Sequence, residues 1–142
     1  MTKDLVIGMA GAGGDGVVAA GEAIMTAAAR GGYRAMMTKS YGPQIRGGES
    51  SFKLRLATEE IFNAGGTLDI AIALNWDDFL RFGAELPVDG RTTVVYDAAS
   101  GVGTSLLPVA GVSPADAIAV PIGEMARASA GTAAAKNAVV LG

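Results

Sequence analysis

The sequence predicts an α/β fold: a three-layer sandwich around a largely parallel, mixed sheet, with a glycine-rich turn between the first strand and the first helix. Three observations carry this. Short apolar runs of strand length (LVIGMA, LDIAIAL, TTVVY) alternate with helix-forming text. The first run passes directly into glycines and then into an alanine-rich helix. One further segment, Ser51–Leu56, alternates polar and apolar residues, the pattern of a half-exposed strand at an edge or in an antiparallel pairing.

In chain order, Asp4–Ala10 reads as a buried strand running into a turn. Val17–Arg30 favours helix through its alanines, Ile24 and Met25, and Arg30-Gly31-Gly32 stops it. Tyr33–Thr38 is a second strand, so the first forty residues predict a β-α-β unit with a parallel pair. Lys39–Ser50 is a loop rich in glycine and hydrogen-bonding side chains. After the Ser51–Leu56 strand, Glu59–Phe62 is a candidate continuation of a hairpin. Leu68–Leu74 reads as a central strand. Asn75 can cap the next helix, with Asp77 and Asp78 placed to complement its dipole, and Trp76, Phe79, Leu80 and Phe82 form an apolar stripe. Thr92–Tyr96 is another buried strand, and Ala98–Val112 a connection. Ala117–Val120 is a last strand, followed by a helix over Gly123–Ser129 and a further helix after Thr132. Residues 1–142 therefore predict a single domain. Lys136–Gly142 reads as the start of an apolar helix, so the domain is expected to be cut short at its C-terminal end.

Composition removes several chemistries. The chain has no cysteine and no histidine. That excludes disulfides, thiolate catalysis, a cluster held by the usual thiolates, the usual zinc ligands and a Ser-His-Asp arrangement. No metal site and no catalytic residue is predicted. The net charge of −3 gives no electrostatic footprint for nucleic acid. No apolar stretch approaches the length of about 18 residues that marks a membrane span, and no signal peptide is recognisable. A cytoplasmic location is expected.

Two loops stand out. Gly11, Gly13 and Gly16, with Gly14 as an extra, satisfy G-x-G-x-x-G between a strand and a helix. Such a loop brings backbone N–H groups to a phosphate at a helix N-terminus. The ribose-binding carboxylate of an NAD site is missing: the end of the second strand reads Met36-Met37-Thr38-Lys39-Ser40. An NADP-binding dehydrogenase domain, with Arg34 or Lys39 on the extra phosphate, remains open. So does a tight structural turn, which Asp15 favours by repelling an anion. The second loop is Ser40-Tyr41-Gly42-Pro43-Gln44-Ile45-Arg46-Gly47-Gly48, where Arg46 beside two glycines offers an unobstructed guanidinium to a phosphate or carboxylate. Its bland reading is a solvated surface arginine. Asp69 reads as a strand-end carboxylate, Asn75 as a helix cap, and Trp76, Phe79 and Phe82 as core or subunit interface.

Gly11–Val18 with Ala20-Gly21-Glu22, and Ser40–Ser50, resemble two signatures of the gamma component of 2-oxoacid:ferredoxin oxidoreductases. Leu68-Asp69 to Asn75, Tyr96-Asp97 and Lys136–Gly142 are similar to further text of that family, so the resemblance covers essentially the whole chain. Asp15, where many relatives carry glutamine, and Gly47–Ser51 look most like the gamma part of a fused gamma-alpha subunit, a type prominent among 2-oxoglutarate enzymes. The resemblance implies oxidative decarboxylation of a 2-oxoacid, 2-oxoglutarate first among the candidates and pyruvate a related one, to an acyl-CoA with thiamine diphosphate. Electrons pass through iron–sulfur clusters to ferredoxin. It implies alpha and beta components as partners, which hold thiamine diphosphate and clusters, while the gamma domain packs beside that site and in some members helps hold coenzyme A. Cofactor contacts are expected at Gly11, Gly13, Gly14, Gly16, Ser40, Tyr41, Arg46, Gly47 and Gly48. Gly14-Asp15-Gly16 spells half of a thiamine-binding motif but lacks the asparagines. The chain alone is expected to be inert, and a purely structural interface module is the remaining alternative. The gamma components of the family run beyond the point where this sequence ends.

Overall fold

The computed structural model describes residues 3–12, 14–42, 48–103, 107–109, 116–131 and 136–141. The apolar run ahead of the glycines forms β1 (Asp4–Gly11). It sits inside a sheet with β2 (Arg34–Tyr41), β3 (Ser50–Ala57), β4 (Ile70–Ala73), β5 (Thr93–Asp97) and β6 (Ala117–Val120), in the order β2-β3-β1-β4-β5-β6. β1, β4, β5 and β6 are mutually parallel, and β3 runs antiparallel to both β1 and β2. The sheet is thus mixed and largely parallel.

The period-2 direction of side chains divides the core into two faces. Val6 and Ala10 of β1 meet Leu68, Ala71, Phe79 and Tyr96 on one side; Ile7 and Met9 meet Val17, Phe52, Leu54 and Ile72 on the other. Helix α2 (Trp76–Arg81) covers the first face. Helix α1 (Val17–Arg30), together with α3 (Ile122–Ala130) and α4 (Lys136–Leu141), covers the second. These are the three layers. Gly21 is placed mid-helix in α1, where alanine is preferred by about 1 kcal/mol. A Cβ there would sit 2.8 Å from Met37 Sδ and 2.8 Å from the Phe52 ring. Close approach of α1 to the sheet outweighs helix propensity at that position.

Four local expectations change. β1 and β2 are not paired: β3 lies between them, antiparallel to each. The expected β-α-β unit is therefore split by a returning hairpin strand. Of the two readings of its alternation, β3 takes the antiparallel pairing and not the edge position. Its polar alternate residues face the segment after it, where Lys53 Nζ donates to the Gly65 carbonyl at 2.6 Å and Arg55 Nη1 to Asn63 Oδ1 at 2.9 Å. A folded-back loop, rather than solvent, satisfies the polar side, and burial there pushes the Lys53 ammonium pKa down. Glu59–Phe62 forms no strand but bends. Finally, β2 continues to Tyr41 and β3 begins at Ser50, so Lys39, Ser40 and Tyr41 belong to a strand and the loop is correspondingly shorter.

Candidate functional site

Sheet register brings the two glycine loops together. At one end of the sheet Gly11 pairs with Ser50, and Ser50 with Tyr41. The loop leaving β1 and the turn joining β2 to β3 therefore emerge side by side at the C-terminal end of β1, where open α/β sheets place ligands.

The first loop closes on itself. Gly14 (φ +89°) and Gly16 (φ +72°) take left-handed backbone that disfavours other residues. Asp15 N–H donates to the Ala12 carbonyl at 3.1 Å, and Asp15 Oδ2 accepts from Ala12 N–H at 3.0 Å. A carboxylate of the chain itself thus occupies a loop amide that a phosphate would need. The Asn137 side chain of α4 packs against Gly16. Gly13 lies outside the described residues.

The second loop has a narrow neck. Gly42 N–H donates to the Glu49 carbonyl at 2.8 Å, extending the β2–β3 ladder by one pair. Tyr41 is 67% exposed there, while Ser40 and Gly48 are half-buried. Arg46 and Gly47, like Pro43, Gln44 and Ile45, lie outside the described residues. Glu49 is buried against Gly42, and its Oε1 pairs with Arg81 Nη1 of α2 at 3.2 Å. Its own backbone N–H, then Arg81, hold the Glu49 carboxyl below the usual range against the opposing effect of burial. Burial pushes the Asp78 carboxyl up; Arg81 opposes this and the charges of Glu49, Asp15 and Asp77 add to it. Both loops and the start of α2 thus share one electrostatic neighbourhood.

Next to it, the ends of β4 and β5 frame a cleft of about 390 Å³ lined in part by Asn75, Trp76, Asp77, Asp97, Ser100 and Lys136. Asn75 caps α2, its Oδ1 accepting from Asp78 N–H at 3.2 Å. Trp76, Phe79 and Phe82 are core residues. Asp97, at the end of β5, is buried and gathers three elements. Its Oδ1 accepts from Ala99 N–H at 3.1 Å and its Oδ2 from Gly123 N–H at 3.3 Å, while Lys136 Nζ of α4 lies 3.6 Å from Oδ2.

The structure separates other candidates from this edge. Arg34 aligns through Ala57 with Asp4, at the opposite end of the sheet. Lys39 pairs with Glu22 of α1. The NADP reading thus loses Arg34 by position, and its other cation is already paired. Asp69 is a strand-end residue, its Oδ2 accepting from Val6 N–H at 2.8 Å. Sequence reasoning missed Glu49, Arg81, Asp97 and Lys136 as partners. Each pair joins segments far apart in the chain, and only the presence of Glu49, Asp97 and Lys136 inside the text quoted for the family resemblance singled them out; Arg81 had no such signal.

A family model described as pyruvate ferredoxin/flavodoxin oxidoreductase matches residues 6–142. The chain belongs to this family. It is 34% identical over 99 residues to the 2-oxoglutarate synthase subunit KorC of Archaeoglobus fulgidus, covering 69% of this chain and 52% of that protein. It is 32% identical over 135 residues to the ketoisovalerate oxidoreductase subunit VorA of Methanothermobacter thermautotrophicus, covering 94% of this chain and 26% of that protein. The chain thus spans about half and about a quarter of the length of these family members. Among solved structures it is similar to the 2-oxoglutarate:ferredoxin oxidoreductase of Magnetococcus marinus with 2-oxoglutarate, coenzyme A and succinyl-CoA bound. There the TM-score is 0.78 at 30% identity, over 98% of this chain and 23% of that one. It is also similar to a keto/oxoacid ferredoxin oxidoreductase gamma subunit from Geobacter sulfurreducens, with a TM-score of 0.70 at 26% identity, over 95% of this chain and 70% of that one. Among the described residues no helix is long and apolar enough to cross a membrane, and no group of three or more acidic, His or Cys residues is arranged to hold a metal.

Proposed function

We propose that this chain is the gamma component of a thiamine-diphosphate-dependent 2-oxoacid:ferredoxin oxidoreductase acting in the cytoplasm, with 2-oxoglutarate as the favoured substrate. The complex would convert a 2-oxoacid and coenzyme A into acyl-CoA and CO2 and pass two electrons to ferredoxin. Alpha and beta components are the partners, and thiamine diphosphate and the iron–sulfur clusters belong to them. This chain has neither Cys nor His and lacks the asparagines of the thiamine motif. It acts as a single gamma-type domain over residues 1–142.

The observation that carries the reading is the convergence of both family signatures on one sheet edge. Gly11, Gly14, Gly16, Ser40, Tyr41 and Gly48 there, together with Gly13, Arg46 and Gly47 of the same signatures, which lie outside the described residues, are the proposed surface toward coenzyme A and the neighbouring components. The two loops fit an anionic coenzyme unequally. Asp15 already satisfies the Ala12 amide of the first, which suits the first loop to packing and backbone approach. The second carries exposed Tyr41 and, in its sequence, Arg46 followed by two glycines, which suits it to a phosphate. Support for 2-oxoglutarate comes from the KorC relative and the Magnetococcus enzyme.

The test is viologen reduction by the native complex, purified without oxygen by a tag on the full-length protein. Reduction with 2-oxoglutarate that requires CoA is expected, with pyruvate and 2-ketoisovalerate slower. An intact complex that reduces viologen with none of these acids would remove the assignment.

A further inference from the structure

We propose that Glu49 is a positioning residue that clamps the neck of the second signature loop to helix α2 through Arg81, and so sets the approach of that loop to coenzyme A. The clamp rests on the reading above and adds a residue to it. Glu49 is only 8% exposed, an uncommon place for a carboxylate. Its main-chain carbonyl closes the neck by accepting from Gly42 N–H. Its side chain fills the space beside Gly42, where an added Cβ would displace it. The carboxylate meets Arg81, which is 60% exposed, across 3.2 Å.

A half-wet ion pair contributes little to stability, and a buried carboxylate held by one is a poor stabilising device. What the pair does supply is a fixed distance between the neck and α2. α2 is itself held firmly, capped by Asn75 and anchored by buried Trp76 and Phe79. The neck at Gly42 and Glu49 therefore takes its position from the helix that follows β4.

The experiment compares Glu49→Gln, Arg81→Gln and the double variant in the native complex, with Arg46→Ala alongside. Each single change is expected to raise KM for CoA about 3- to 30-fold, with kcat at saturating CoA within twofold. The double variant is expected to be no worse than the worse single. Hydrogen exchange at the Gly42 amide should accelerate in all three while the melting temperature holds. Additive effects, or unchanged KM in both single variants where Arg46→Ala raises it, overturn the clamp and leave the functional reading standing. If Arg46→Ala also leaves KM unchanged, the CoA reading fails. The effect of the clamp on coenzyme A falls with it; faster Gly42 exchange then upholds only the tie of the neck to α2, and wild-type exchange overturns that tie as well. Should Glu49→Gln fail to fold, Arg81→Gln, altered at an exposed side chain, decides by the same readings.

Discussion

Asp97→Ala should destabilise the protein by roughly 2–4 kcal/mol and loosen the helices at its C-terminal side. The carboxylate accepts from Gly123 N–H inside α3 and from Ala99 N–H in the turn after β5, and it faces Lys136 of α4. Alanine leaves the buried Gly123 amide without its acceptor and strips Lys136, which is mostly covered, of its counter-charge. Loss of one partner exposes the desolvation penalty of the other, and that asymmetry makes the effect large. A fall in melting temperature of roughly 5–15 °C is expected for a domain of this size. Faster proteolysis between Ile122 and Leu141 should accompany it. Asp97→Asn keeps an acceptor oxygen and should fall in between. A wild-type melting curve for Asp97→Ala would show that β5, α3 and α4 are held together by apolar contact alone.

Arg46→Ala should raise KM for CoA about 10- to 100-fold in the assembled enzyme, the loss associated with one charge-assisted hydrogen bond of about 1.5–3 kcal/mol. Turnover at saturating CoA should survive, because the residue binds the coenzyme equally before and during reaction. Arg46→Lys should recover only part, since an ammonium cannot make the bidentate contact. An unchanged KM with normal assembly would remove Arg46 from the coenzyme surface. Reduced assembly with unchanged KM would make the loop a subunit contact.

The legible parts of the fold were those set by local pattern. Leu68–Leu74 and Thr92–Tyr96 are near-continuous apolar runs; the first becomes β4 with one or two residues trimmed at each end, and the second becomes β5, shifted by one residue to Thr93–Asp97. Val17–Arg30 was bounded by glycines on both sides and is helix α1 over that span. An antiparallel pairing of β3 was legible as one of two readings; its place between β1 and β2 was not. Its alternation is the same whether water or the 58–67 segment satisfies Lys53 and Arg55, and only the fold decides which. The candidate edge followed the same division. The glycine motif was visible, and Asp15 was already suspect beside an anion, but its return to Ala12 N–H is a matter of backbone geometry. Glu49 with Arg81, and Asp97 with Lys136, pair across long stretches of chain. No periodicity in one sequence reports such pairs.

The most direct measurement labels the native complex with a photoreactive CoA analogue and maps the crosslinked peptides by mass spectrometry. The account predicts label on residues 40–50 of this chain, suppressed by excess CoA. Label that excess CoA suppresses but that falls only on the other components would contradict it.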